Sequence, residues 1–246
     1  RIPSIGELTV FYSMLVSVNS LRHNPTIKTE AANYGYNDMT YGFLGYPVSQ
    51  SADITFCKAN LVPVGEDQKP HMEMTRKIVR RFNELYGETL VEPDMMLSDC
   101  PRLMGLDGNA KMGKSLGNAI YLSDPAEEVR KKVMSAVTDA SRIKKDDPGH
   151  PDICVVSKYH KVFNASEYEN ICESCKKGAI GCVACKKALA AALNDLLEPF
   201  RERRAYYEAH REEVRDIILT GSEKANKIGN ETVKEVKEAM HIYIGD

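Results

Sequence analysis

The sequence predicts an α/β fold, an open parallel-sheet domain followed by an all-helical domain, on three observations. Residues 61–79 pass from a short apolar run, Leu61–Val64, through Gly65-Glu66-Asp67-Gln68 into His71, Met74, Ile78 and Val79 at helical spacing. Strand, glycine turn, polar loop and helix form the unit with which open α/β sheets bind ligands beyond the carboxyl ends of their strands. Residues 186–219 carry only helical periodicity, with Leu193, Leu196, Leu197 and Phe200 as an apolar stripe. Between them, KKDDPGHPD (144–152) is linker-like, so the domains are expected at 1–145 and 146–246.

In chain order, 4–22 is expected to be one amphipathic helix. Ser4 and Glu7 are its capping box, and Val10, Phe11, Met14, Leu15 and Val18 its apolar side. Asn24-Pro25 ends it, and 33–42 is turn-rich, expected as a mobile loop. Gly45-Tyr46-Pro47 is a turn signal, because proline fixes its own φ and biases the residue before it towards extended geometry. Gln50 and Asp53, three apart, share one face of a helical turn. Short segments broken by Pro93, Pro101, Gly105 and Gly108 fill 88–110. A helix over 124–138 starts at Ser123-Asp124-Pro125, with Glu127 and Glu128 early and Lys131 and Lys132 late, as the helix dipole favours. Pro199 is expected to interrupt the long helix of 186–219, and Thr220-Gly221-Ser222 to end it and cap a last helix of about 18 residues.

Composition narrows the function classes. With 43% apolar and 28% charged residues, the chain is an ordinary globular sequence. A formal net charge of −2 gives no global pull towards nucleic acid, so any such contact must use local basic patches. There is no run of 18 apolar residues, hence no expected membrane span. RIPSIGEL has no signal-peptide apolar region, and a cytoplasmic location is expected. Four of the seven cysteines crowd into 172–185, spaced Cys172-x2-Cys175-x6-Cys182-x2-Cys185. That is the spacing of a tetrahedral thiolate site in a reducing compartment.

One motif misleads. Gly108–Ser115, GNAKMGKS, fits the phosphate-loop pattern GxxxxGKS letter for letter. Such a loop needs a buried strand before it and a long helix opening at its Lys-Ser. No continuous apolar strand precedes Gly108, and LGNAIYLSDP follows Ser115, so the phosphate-loop reading is rejected.

YPVSQSADI (46–54), VPVGEDQKPHMEMTR (62–76), KMGKS (111–115), SAVTD (135–139) and GSEKANKI (221–228) occur in an order and spacing that resemble the bacterial tryptophanyl-tRNA synthetases, over nearly the whole chain. The resemblance implies a partial Rossmann-type class I synthetase catalytic domain followed by a helical anticodon-binding domain. It implies a tryptophan pocket of Tyr46, Gln50, Asp53, Val62, Val64 and Gln68. A carboxylate at Asp53 can accept the indole N–H, a donor-only group that must be paired once desolvated. Gly65 would permit close approach of the nucleotide, Asp67 would hold a ribose hydroxyl, and Leu103 and Met112 would pack on adenine. Lys28 would stand on the phosphate side. KMGKS resembles the family's KMSKS loop, with Gly113 for serine. Lys111 and Lys114 would neutralise the leaving pyrophosphate, with Ser115 as a hydrogen-bond partner. Gln50 stands where many bacterial members carry methionine, and a glutamine three residues before the aspartate also resembles the tyrosyl-tRNA synthetases, so tyrosine stays open as the amino acid.

Cys154 completes a Cys-x20-Cys-x6-Cys-x2-Cys series similar to one that binds an iron–sulfur cluster in some members. The resemblance therefore implies Cys154, Cys175, Cys182 and Cys185 as ligands of a [4Fe–4S] cluster, with Zn²⁺ as the alternative and Cys172 spare. It further implies ATP with Mg²⁺, L-tryptophan, tRNA(Trp) and a homodimer. Arg201, Arg203, Arg204, Lys224 and Lys227 are candidates for tRNA phosphates, and Tyr206 and Tyr207 for base stacking. The family's HIGH-type element and first βαβ segment are expected before Arg1, and this polypeptide alone is expected to be weak or inactive in adenylation. The rival reading is a zinc-type RNA-binding module without catalysis.

Overall fold

The computed structural model describes residues 1–36, 38–98, 100, 103–109, 112–113 and 116–242. They form two compact units, Arg1–Pro101 with Arg215–Asp246, and Arg102–Val214. This division by compactness does not follow the expected boundary at 145/146, since the last helix belongs with the N-terminal unit.

The first unit opens with helix α1 (Pro3–Ser13) and a separate short helix α2 (Val18–Arg22), not one continuous helix. Ser17 caps α2 by accepting from Ser20 N–H. Ser4 is not a cap: it lies inside α1, and Ser4, Leu8 and Tyr12 are the buried stripe. Val10, Met14 and Val18, expected to be apolar core, are more than half exposed. Asn24-Pro25 starts a helix where an ending was expected. Asn24 Oδ1 accepts from Thr26 and Ile27 N–H, and Pro25 takes the first turn of α3 (Pro25–Tyr34), where its missing N–H costs nothing.

Helix α4 (Tyr41–Thr55) absorbs the expected turn at Gly45-Tyr46-Pro47 and carries buried Pro47 within it. Strand β1 (Leu61–Val64) follows, then Gly65, a 3-10 turn over Glu66–Gln68, and α5 (Lys69–Tyr86), as the sequence predicts. Strand β2 (Asp94–Leu97) pairs parallel with β1, Val62 beside Met95 and Val64 beside Leu97. The core joins Leu8, Tyr12, Val48, Ala52, Ile78 and Phe82 to Val233 and Val236 of the last helix. That helix comes so close at Gly229 that a Cβ there would stand 2.2 Å from Ser4 Oγ.

The second unit holds α6 (Ala126–Ser135), α7 (Val155–Phe163), α8 (Ala165–Lys176) and α9 (Cys182–Ala209) around Val129, Val133, Tyr159, Leu189, Leu193 and Leu197. Pro199 does not interrupt α9. Helix α10 (Arg211–Ala239) runs unbroken through Thr220-Gly221-Ser222, where Thr220 and Ser222 hydroxyls donate back to Asp216 and Ile218 carbonyls. The chain bends instead at His210. No helix among the described residues is long and apolar enough to cross a membrane.

Candidate active site and cysteine cluster

Helical spacing puts Tyr46, Gln50 and Asp53 on one face of α4. Val62 and Val64 are the half-buried positions of β1, alternating with exposed Leu61 and Pro63. The turn after β1 faces the same side. Gln50 Nε2 donates to Gln68 Oε1 at 3.0 Å, and Gln68 Nε2 to Asp67 Oδ2 at 3.0 Å. Gly65 makes room for this: a Cβ there would lie 2.7 Å from Asp67 Oδ1.

Tyr46 sits in a network the sequence did not reveal. Its hydroxyl is 3.0 Å from both Glu30 Oε2 and His71 Nε2. An ionised carboxylate only accepts, so the phenol donates to Glu30 and accepts from His71 Nε2–H. His71 Nδ1 is then the bare nitrogen, and it is buried without a partner among the described residues. Burial, with Glu30 adding its charge, holds the Tyr46 phenol well above its ordinary range. Burial pushes the His71 imidazole down, so it stands neutral. Desolvation raises the Asp53 carboxyl, although the side chain is largely open to solvent.

Of the remaining predicted residues, Lys28 stands exposed on α3. Leu103 and Met112 pack at the margin of the second unit's core. Lys111, Lys114 and Ser115 lie outside the described residues. The middle of their motif is anchored by a residue the sequence reading passed over. Asn118, buried, accepts from Gly113 N–H at 3.0 Å and donates to Asp107 Oδ1 at 3.0 Å. Residues 118–125 form no helix, and α6 opens only at Ala126, against the phosphate-loop reading.

Helix ends gather the cysteines. Cys154 precedes α7, Cys172 and Cys175 lie one turn apart on α8, and Cys182 and Cys185 open α9. Arg142 Nη1 reaches Cys175 Sγ at 3.8 Å and Cys182 Sγ at 3.9 Å. His160 Nε2 lies 3.1 Å from the Cys185 carbonyl and 3.5 Å from its sulfur. Gly149 threads past the site: a Cβ there would meet Cys175 Sγ at 2.5 Å. Burial first, then the charges of Cys154, Cys175, Cys182 and Cys172, push the Cys185 thiol up to about 12. Thiols crowded in this way suit a cation or cationic cluster, which would favour their ionised form. The donor chemistry therefore fits a thiolate-ligated group. The geometry does not close around one: among the described residues no three His, Cys, Asp or Glu side chains stand together as a metal-holding group. Cys172 turns elsewhere, buried with its sulfur 3.7 Å from Ser157 Oγ.

Arg201, a candidate for tRNA phosphate, is committed within the protein. It donates to the Asp124 carbonyl and to Asn194 Oδ1 and pairs with Glu198. Tyr206 stacks on His210 at 4.1 Å and donates to Glu213.

Comparison with known proteins places the chain in a family. The family model for tRNA synthetases class I (W and Y) matches residues 1–198, and the chain belongs to that family. Within it, kinship lies with bacterial tryptophan–tRNA ligases. The chain is 48% identical to the tryptophan–tRNA ligase of Streptococcus pyogenes over 98% of its length and 74% of the relative's. It is 48% identical to that of Aquifex aeolicus over 84% of its length and 53% of the relative's, so it spans about half of that protein. Among solved structures, Campylobacter jejuni tryptophanyl-tRNA synthetase complexed with ADP and tryptophan superposes with a TM-score of 0.80 at 26% identity, over 98% of this chain and 74% of that one.

Proposed function

We propose that this chain serves the activation of L-tryptophan with ATP and Mg²⁺ to tryptophanyl-adenylate, and its transfer to tRNA(Trp), within a cytoplasmic homodimer. The observation that carries the reading is the polar face of Tyr46, Gln50 and Asp53 set against the Gly65–Gln68 turn, in a chain whose relatives are tryptophan–tRNA ligases. Asp53 takes the indole N–H, and Val62 and Val64 flank the ring. Gln68 and Tyr46 bind the amino-acid head. Gly65 and Asp67 serve the nucleotide, with Leu103 and Met112 beside adenine and Lys28 on the phosphate side. The substrate's own carboxylate attacks the α-phosphate in line, so no general acid or covalent nucleophile is required. The protein supplies position and charge neutralisation, the latter from Lys111 and Lys114 with Ser115.

Residues 146–246 form the tRNA anticodon-binding part in this reading. Cys154, Cys175, Cys182 and Cys185 hold a [4Fe–4S] cluster or Zn²⁺ there, which would staple the ends of α7, α8 and α9. Arg203, Arg204, Lys224 and Lys227 remain as phosphate partners, Arg204 from an exposed pair with Glu208.

Pyrophosphate exchange by the protein expressed from its complete reading frame tests the reaction, with tryptophan and tyrosine supplied separately. Tryptophan-dependent exchange is expected, falling at least about a hundredfold in Asp53→Ala and in Lys114→Ala. Exchange with tyrosine would hand the pocket to the tyrosyl reading. No exchange with either would leave an RNA-binding module.

A further inference from the structure

The side chains between α4 and the turn after β1 fix one another's orientation. The Asp67 carboxylate can only accept, so the Gln68 atom 3.0 Å from it is the amide nitrogen. Gln68 Oε1 therefore faces Gln50, and the Gln50 atom 3.0 Å away must be its nitrogen. Turning either amide over would set oxygen against oxygen or N–H against N–H. The chain of donors runs one way, Gln50 to Gln68 to Asp67. It leaves a second lone pair on Gln68 Oε1 and the whole of Gln50 Oε1 as acceptors. A methionine at position 50 could not build this, because a thioether has no N–H to donate.

We propose that Gln50 is a positioning residue: through this one-way chain it holds the Gln68 amide with its oxygen presented to the α-ammonium group of the bound amino acid. The inference rests on the tryptophan site proposed above. An ammonium group entering the pocket loses water from three N–H donors, and each needs an acceptor. The terminal amide torsion of a glutamine is broad and roughly two-fold, so it holds one face only when both ends are tied. Asp67 ties the nitrogen of Gln68 from an exposed position, where water competes. Asp67, which can only accept, sets the flip; Gln50 ties the oxygen from a half-buried position, where water competes less, and keeps the torsion from swinging.

Titration calorimetry tests this with two ligands, L-tryptophan and indole-3-propionate, which keeps ring and carboxylate but lacks the ammonium group. Two variants bracket the chemistry. Gln50→Met keeps length and removes the N–H. Gln50→Glu keeps shape but places a second acceptor against Gln68 Oε1. Both are expected to weaken tryptophan roughly three- to tenfold, the worth of one hydrogen bond. Both should leave indole-3-propionate and the melting temperature unchanged. Equal losses for the two ligands would overturn the inference, because Gln50 would then act on the ring or on pocket shape. Unchanged tryptophan binding in either variant would also overturn it. Failure of the unaltered protein to bind either ligand would overturn the tryptophan site itself and the inference with it.

Discussion

Asp139 receives four hydrogen bonds, from the backbone N–H and hydroxyl of Ser141 and from the backbone N–H and Nδ1 of His150, at 2.6–3.0 Å. Led by the Ser141 hydroxyl, these bonds hold its carboxyl far below the usual carboxylate range. The folded state thus binds this proton more weakly than the unfolded chain does. Its stabilisation is complete above the ordinary carboxylate pKa, about 3.9, and is lost as pH falls towards the folded value. Asp139→Asn is expected to lower the melting temperature near neutrality and to flatten its decline in acid, as thermal melts across that range would record. The aspartate was visible in the SAVTD motif, but its tie to His150 eleven residues on was not. Distance from the sequence explains the other omissions. Gln50 and Asp53 were legible as one face because their spacing is helical, whereas Tyr46 was read into a turn and entered the pocket only through the family resemblance. Glu30, sixteen residues before Tyr46, and His71, twenty-five after it, join that site only through the fold.

Helix α9 separates periodicity from burial. Its expected stripe was Leu193, Leu196, Leu197 and Phe200, but Leu193 and Leu197 are 4% exposed while Leu196 and Phe200 are nearly half exposed. Leu193→Ala should cost about 2–5 kcal/mol and Leu196→Ala well under about 1 kcal/mol, measurable by urea unfolding. Equal costs would mean that the exposed leucine is buried by something else in solution. Prolines misled the reading at this scale. A helix-interior proline costs about 3 kcal/mol locally, yet Pro47 and Pro199 both stay inside helices. Pro47 is itself buried on α4. Beside Pro199, Arg201 reaches back to the Asn194 carbonyl and side chain, one residue before the Asp195 carbonyl that the proline leaves without its helical donor. The strand, Gly65, the polar turn and α5 were legible because every local signal there agrees with the fold. The break at His210 carried no glycine or proline signal, and the unbroken helix at Gly221 overrode one.

At the scale of the whole molecule, the two units carry separate cores, and the cysteine cluster lies wholly within the second. Anaerobically purified protein is expected to contain about four irons with sulfide, or about one zinc, per chain. Cys185→Ala should lower both that content and the melting temperature, while Cys57→Ala, at an exposed cysteine far outside the cluster in sequence, should change neither. Metal analysis by mass spectrometry decides it, and unaltered content in Cys185→Ala would remove that cysteine from the ligand set. The spacing of the cysteines could propose this site, but it could not reveal the backbone that runs beside it. Gly149 passes so near Cys175 that any side chain would strike the sulfur. The glycine and the thiol thus compete for one space: a side chain at position 149 would have to move the Cys175 sulfur from where it stands, so the position of a cluster ligand is guarded by a residue with no donor atom of its own to offer.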